Sequence, residues 1–473
     1  VQLLAIARML LDRYEVQVVN AEIGIVRKSQ AELERVVREH LDDCVLFGVS
    51  AMTGYGIRGA LAMSRFVRRH APRTKIVWGG WHASLLPEQT LQAPEIDFVV
   101  IGQGEDTTVQ LLEAIESGMT DFSSIKGLGW KQDGVCVVNP RRQTRDINAF
   151  PPLPFHLLED EAFYQRPGER TAAIITCVGC PFNCGFCADR AVYGGHWTPL
   201  TAARCLDELR RLHEEFGVTA VRILDSNFFA DRKRSRSILE GMRAMGVRAV
   251  WVNARVDALL AATASEMELF RDTVNSFLVG AESGCEEMLE LINKKQAVAD
   301  VREVGRKYAA YKIPICFSTI VGLPHEDPAI RQRELGLTVG LIDDILKESR
   351  FLHTGQVHVY TPYPGTPLYA NVLKLGFDPP QSLEGWADVE MWISNLPYAP
   401  ADLGKQAEFI STFILQLLRP EYRFFRGTNP LAKAGFAAVQ AILKGTSLIR
   451  WKLKYFDNPV EMWLAKKLLG RLD

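Results

Sequence analysis

The chain has 473 residues, is 47% apolar and 23% charged, and carries a formal net charge of −1. That balance suits a packed protein of two or three domains at about 100–200 residues each. It excludes a disordered or fibrous chain and a protein that holds nucleic acid by bulk charge.

The charge is unevenly spread. From Glu421 to Asp473 there are ten Lys/Arg and four Asp/Glu, a local +6 that leaves −7 on the first 420 residues. No apolar run approaches the ~20 residues of a membrane span. The opening VQLLAIARMLLDRYEVQVV contains Arg8, Asp12 and Arg13 and reads as a helix followed by a strand, not a signal peptide. Four of the nine cysteines fall between Cys177 and Cys187, and the rest are scattered. Without an export signal, that clustering points to metal before disulfide and to a reducing cytoplasm as the expected compartment.

In chain order, residues 1–125 alternate short apolar strands with helices. The strands are Val16–Asn20, Cys44–Val49, Lys75–Trp78 and Phe98–Ile101, and the helices Gln30–His40, Ile57–His70 and Asp106–Ser117. This alternation predicts a doubly wound parallel sheet, with ligands outside the strand carboxyl ends. The loops there are Ser50–Gly56, Gly79–His82 and Gly102–Asp106.

Residues 126–170 read as a connection. They hold a hairpin pair around Asp133–Gly134 and the proline-rich segment Phe150–Phe155. Residues 171–397 carry a second series, with strands at Ala172–Thr176, Ala220–Leu224, Ala249–Asn253, Ser276–Gly280, Ile315–Val321 and Val357–Tyr360. Between them lie helices that include Ala202–Glu215, Arg232–Met245, Glu286–Ile292 and Val298–Tyr311. Six βα units predict a partial TIM-like (β/α)6 barrel with its chemistry at the strand carboxyl ends. Residues 398–473 read as helical.

The segment CVGCPFNCGFC (177–187) follows the first strand of this second series. Pairing Cys177 with Cys180 and Cys184 with Cys187 resembles a zinc site, but structural zinc motifs separate their halves by roughly 12–20 residues. Only three residues lie between these two halves. Cys180, Cys184 and Cys187 alone give CxxxCxxC, three thiolates on one loop that can each ligate an iron of a four-iron cluster and leave the fourth iron open. Pro181 directs the chain after the first ligand, and Gly185 permits tight wrapping. Cys177 is left as a core or supporting residue.

CxxxCxxC at the end of a barrel's first strand resembles the signature of the radical SAM superfamily. The resemblance implies a 4Fe–4S cluster on Cys180, Cys184 and Cys187, with S-adenosylmethionine (SAM) chelating the open iron and Phe186 lying against its adenine. It extends to later strand ends. LDSNFF (224–229) resembles the DxNF segment of cobalamin-dependent members and makes Asp225 the nearest candidate for the methionyl amine. VGAESG (279–284) offers Glu282 and Ser283 as polar SAM contacts, and IVGLPHE (320–326) puts Gly322 on the adenine side. YTPYPGTPLY (360–369) closes the sixth strand.

An open parallel sheet ahead of such a barrel resembles the layout of the cobalamin-binding class. Ser50 follows one strand as a serine does where the nucleotide tail of cobalamin binds, and Gly79 and Gly80 follow the next, where missing side chains admit a buried base. Two departures stand out: there is no Asp-x-His-x-x-Gly motif, and the strand expected before the first helix is absent. The first is compatible with base-off cobalamin lacking a histidine ligand. His82, in GGWH, reads as a packing or anchoring residue rather than a cobalt ligand.

The resemblance implies reductive cleavage of SAM to a 5′-deoxyadenosyl radical and functionalisation of an unactivated carbon, with methyl transfer as the expected outcome. The alternative is cyclisation or ring rearrangement of a hydrophobic substrate. An external electron donor such as a flavodoxin or ferredoxin is expected. In the tail, Trp451, Tyr455, Phe456 and Trp463 interleave with Arg450, Lys452, Lys454, Lys466, Lys467 and Arg471. That pattern reads first as a helical cap with a solvated basic face, and alternatively as a surface for anionic lipid. A lipid, isoprenoid or tetrapyrrole substrate fits either reading.

Overall fold

The computed structural model describes residues 2–20, 22–23, 26–158, 163–166, 168–389, 395–418 and 430–469. The chain forms two compact units, one of Val1–Phe277, Pro362–Tyr369 and Asp378–Glu390, the other of Leu278–Thr361, Ala370–Phe377 and Met391–Asp473.

In the first unit, β1 (Leu46–Ser50), β2 (Lys75–Gly79) and β3 (Phe98–Val100) run parallel, with Ser50 opposite Gly79. The helices Gly56–His70 and Glu105–Glu116 follow β1 and β3, close to their expected positions. Val16–Asn20 is not a strand. Its apolar alternation needs a neighbour to pair with, and β1 is the edge of the sheet among the described residues. The hairpin assigned to the connection instead extends this sheet. β4 (Leu128–Gln132) adds antiparallel to β3 and β5 (Val135–Val138) antiparallel to β4, in the order β1-β2-β3-β4-β5. Asp133 and Gly134 both take positive φ, 50° and 81°, the turn geometry that an Asp-Gly pair favours.

The proline-rich segment is no loose tether. Phe150 and Phe155 are buried, and Arg8 and Arg145 stand over the Phe150 ring at 4.7 and 4.9 Å. A later segment, 378–389, packs on the same unit. Trp386 joins the core beside Leu61 and Phe66, and its indole N–H donates to Gln89 at 2.7 Å.

The second strand series begins in this unit with β6 (Glu169–Ile174), β7 (Ala220–Ile223) and β8 (Arg248–Ala254). They are parallel, with Thr171 opposite Ala220 and Ala220 opposite Arg248. The helices Ala202–Phe216 and Arg232–Met245 begin on side-chain caps from Thr201 and Asp231 and end on left-handed glycines, Gly217 and Gly246. β9 (Phe277–Glu282) starts at the unit boundary. The second unit continues through β10 (Ile315–Val321) and β11 (Leu352–Val359), a parallel pair. The sequence reading missed the 21-residue helix Pro328–Glu348. Its apolar stripe is diluted by charge, but Asp327 as cap and Pro328 at its first position were legible start signals.

The tail is helical over Pro430–Leu453 and Val460–Leu469. Trp451 and Phe456 are buried, Trp451 donates to Asp343 at 2.8 Å, and Arg450 is tied to Glu461 at 2.7 Å. Leu453, Tyr455 and Trp463 are exposed. Lys466, Lys467 and Arg471 lie outside the described side chains. Among the described residues, no helix is long and apolar enough to cross a membrane.

Candidate cofactor site

The cysteine loop is delivered by a short hairpin, Cys177–Gly179 paired antiparallel with Trp197–Pro199. Gly179 is obligatory there: its φ is +77°, and a Cβ would stand 1.9 Å from the His196 carbonyl oxygen. Beyond it, Cys180, Cys184 and Cys187 are partly exposed, and the Cys187 N–H closes a turn onto the Cys184 carbonyl at 3.1 Å. Burial pushes the Cys187 thiol up to about 12 and raises Cys180 as well. These are soft donors that only a metal would hold as thiolates at neutral pH. Cys177 is buried, and its thiol lies well above the ordinary range because of burial and the neighbouring Asp225. The donor set therefore fits a three-thiolate iron–sulfur site.

The segment after β7 braces that loop. Asp225 is fully buried. It accepts from Thr176 N–H at 2.6 Å, from the Thr176 hydroxyl at 2.5 Å and from Cys177 N–H at 3.2 Å. Both of its oxygens are thus engaged by the base of the loop. Arg234, from the following helix, reaches the Thr176 and Leu200 carbonyls. Ser226 donates to the buried Asp189 at 2.8 Å, and Asn227 accepts from Phe229 N–H. Asp225, Ser226 and Asn227 of LDSNFF thus each bond groups of the protein itself. From the other side, Leu368 N–H in the sixth-strand loop donates to the Gly185 carbonyl at 3.1 Å.

Ser50, Gly79 and Gly80 lie together at the carboxyl ends of β1 and β2. Gly80 has φ +91°, and a Cβ there would meet Ala51 O at 2.7 Å and Ser50 Oγ at 3.0 Å, so the two loops interlock only through glycine. Gly79 differs: a Cβ there would meet nothing nearer than 3.8 Å. That is ordinary van der Waals contact with Val100 of the neighbouring strand, so Gly79 is not forced by sterics as Gly80 is. Ser50 is exposed and bonds Gln2 at 3.3 Å. His82 is buried, with Nδ1 3.0 Å from the Thr53 hydroxyl and its ring 6.2 Å from that of Trp386. Burial lowers it to about 4, so it is a neutral packed imidazole.

The two loop systems are tied directly. Arg141 donates to the Ala191 and Val192 carbonyls at 2.7 and 3.1 Å, on the helix Asp189–Tyr193 that leaves the cysteine loop. The same guanidinium reaches Ser84 O at 3.0 Å, in the segment following Gly80. The sequence reading did not find Arg141.

In the second unit, Glu282 ends β9 with φ +61°, a conformation uncommon for a non-glycine residue. Its carboxylate pairs with Lys294 at 2.6 Å, both side chains under a tenth exposed. A Cβ on Gly280 would stand 2.0 Å from Glu282 Oε1, so Gly280 makes room for the pair. The Ser283 hydroxyl is fully buried, accepts from Cys285 N–H at 3.2 Å and lies 3.4 Å from Thr338 Oγ1. It builds the turn. Phe186 is half-buried.

Gly322, at the end of β10, has φ +79° and is held from two sides. Its N–H donates to Glu334 Oε2 at 2.7 Å, and its carbonyl accepts from Tyr398 Oη at 3.1 Å. Glu334 and Tyr398 were not legible as site residues. Burial pushes Glu334 up to about 8, against the opposing pull of the Gly322 and Leu323 N–H groups. The native state therefore keeps this proton to higher pH than the unfolded chain. The associated stability is full below about pH 4.5 and is lost as pH rises through about 8. Glu334→Gln keeps the acceptor without the titration. Thermal melts from about pH 5 to about pH 9 should show the parent losing stability relative to the variant, each pKa unit contributing about 1.4 kcal/mol. Parallel melting curves would refute the assignment.

Comparison with known proteins agrees with this arrangement. Residues 1–112 match the B12-binding domain family, and residues 174–333 match the radical SAM superfamily. An uncharacterised methyltransferase of Pyrococcus horikoshii is 26% identical over 371 residues, 77% of this chain and 76% of its own length. An anaerobic magnesium-protoporphyrin IX monomethyl ester cyclase of Synechocystis is 26% identical over 321 residues, 66% of this chain and 62% of its own length. Among solved structures, the radical SAM methyltransferase TsrM of Kitasatospora setae, bound to cobalamin and a 4Fe–4S cluster, superposes with a TM-score of 0.61 at 18% identity, over 79% of this chain and 71% of that one. The fold is thus that of an α/β protein in which a cobalamin-binding sheet precedes a radical SAM domain. Residues 1–112 and 174–333 thus correspond to a B12-binding and a radical SAM domain, and the protein is a radical SAM enzyme with a 4Fe–4S cluster, SAM and cobalamin as cofactors.

Proposed function

We propose that this enzyme transfers a methyl group from SAM to an unactivated carbon of a small, hydrophobic substrate. The observation that carries the reading is the Arg141 bridge, which ties the segment that follows Gly79 and Gly80 to the helix leaving the cysteine loop. Chemistry that uses both cofactors on one substrate requires their loops to be held together, and proximity of this kind is where much of the rate arises.

Cys180, Cys184 and Cys187 would hold the cluster, and Phe186, Glu282 and Gly322 would receive SAM. Ser283 serves through the turn it builds, and Asp225 by fixing the loop base. Ser50, Gly79 and Gly80 would face the cobalamin tail. When bound, the three cofactors supply a carbon-centred radical and a methyl carrier. Lys294 orients the Glu282 carboxylate, Glu334 and Tyr398 hold the Gly322 backbone, and buried His82 stays neutral beneath the loop rather than reaching a metal.

Similarity to the cyclase favours a second reading, in which a hydrophobic ring system is closed without gain of carbon. A tetrapyrrole, isoprenoid or lipid substrate suits either. A flavodoxin- or ferredoxin-like donor would supply electrons. The tail acts as a packed cap, and its exposed Leu453 and Trp463 beside Lys452 give a face able to rest on anionic lipid. Mass spectrometry of metabolites and lipids from cells with and without the gene tests the reaction type. A product one methylene heavier than its precursor supports methylation, and a ring-closed product of equal carbon number favours the cyclase reading.

A further inference from the structure

Arg255, at the end of β8, has no role in the family signature read from the sequence, yet it sits against the cysteine loop. One guanidinium nitrogen, Nη1, lies 3.7 Å from Cys184 Sγ, within range of an N–H···S hydrogen bond. The guanidinium carbon stands 4.0 Å from the centre of the Phe182 ring, two residues before Cys184. Asp257 holds Nε and Nη2 at 3.1 Å. The planar group is thus fixed by a ring on its face and a carboxylate on one edge, with its other edge turned to the sulfur.

The energetics point the same way. Arg255 is 7% exposed, whereas the side chain of Asp257 is 47% exposed and solvated. In that buried setting an N–H···S bond from the guanidinium to a thiolate-ligated cluster on Cys180, Cys184 and Cys187 would be stronger than the same bond in water.

We propose that Arg255 is a positioning residue that donates to the Cys184 thiolate and raises the reduction potential of the bound cluster, easing its one-electron reduction. The inference rests on the assignment of Cys184 as a ligand. Reduction adds one electron from a low-potential iron–sulfur or flavin donor and moves no proton, so it increases negative charge at the sulfurs. A fixed cation and an N–H donor favour the more negative state, and hydrogen bonding to cluster sulfurs is a recognised control of such potentials. Lysine lacks the fork that meets Asp257 and the sulfur together, and restores charge without that geometry.

The test is an EPR-monitored redox titration of anaerobically reconstituted protein without SAM, comparing the parent with Arg255→Met, Arg255→Lys and Asp257→Asn. Iron content is measured first. Unchanged iron in Arg255→Met with at least a tenfold lower ratio of reduced to oxidised cluster at fixed potential, about 59 mV for a one-electron couple, is the expected result. Arg255→Lys should recover part of the shift, and Asp257→Asn should leave the potential within a few-fold of the parent. An unchanged potential in Arg255→Met, with weakened SAM binding instead, would overturn the proposal and make Arg255 a SAM contact. If Arg255→Met loses its iron, the lysine variant decides: a potential equal to the parent's refutes the geometric role. Failure of the parent itself to load iron would count against the cluster assignment, not against Arg255.

Discussion

Replacing any one of Cys180, Cys184 and Cys187 with alanine will abolish loading of an oxygen-sensitive four-iron cluster and, with it, formation of 5′-deoxyadenosine from SAM. Cys177→Ala will load normally. The three ligating candidates sit on a loop that rises from the Cys177–Gly179 hairpin, whereas the Cys177 thiol is buried beside Asp225 and held far from ionisation. A site with one thiolate per iron has no spare ligand, so losing one removes the cluster rather than weakening it. Iron and sulfide analysis with EPR reads the outcome. Equal loss in all four variants would restore the four-thiolate reading.

The second large effect is expected at the Glu282–Lys294 pair. Lys294→Met leaves a carboxylate buried without its cation, a change that costs about 3–5 kcal/mol in comparable buried pairs. The loss should appear as a lower thermal midpoint. The double variant Lys294→Met/Glu282→Leu should regain much of that stability, since replacing both members of a buried pair by apolar groups is often neutral or favourable. SAM affinity should fall in both, by about tenfold or more if Glu282 makes a charge-assisted hydrogen bond of about 1.5–3 kcal/mol to the ligand. Equilibrium binding of SAM to the reconstituted protein measures it. A double variant that is stable and binds SAM as the parent does would show that the pair is architectural only.

Much of the fold was legible because its strands are short apolar runs bounded by helices of clear periodicity. Ile315–Val321 and Arg232–Met245 fall where the pattern placed them. Val16–Asn20 shows the limit of that reasoning, because a strand exists only when another lies beside it, and a local pattern cannot report its neighbour. The hairpin at Asp133–Gly134 was visible from its turn residues, but the sheet it joins was a matter of tertiary pairing.

In the site, cysteine spacing was enough to select the loop, since metal ligation fixes residue type and interval together. Side-chain direction was not legible. Asp225 and Ser283 are polar residues at strand ends, as the motif reading required, yet both are consumed by neighbouring N–H groups that only the folded chain brings near. Arg141, Arg255, Lys294 and Glu334 were missed for the converse reason. Each acts across a separation of 12 to 71 residues, on a partner that sequence spacing does not reveal. Gly280 did leave a signal, a glycine inside a strand two residues from a candidate ligand, which marks close approach by another group.

The most direct measurement is turnover of the reconstituted enzyme, under reductant and with cobalamin, using SAM whose methyl group carries deuterium and an extract of cellular lipids and tetrapyrroles as substrate. The account predicts a product that carries the deuterated methyl group, with S-adenosylhomocysteine formed alongside 5′-deoxyadenosine. A product of unchanged carbon number, free of deuterium and formed without S-adenosylhomocysteine, would contradict methyl transfer.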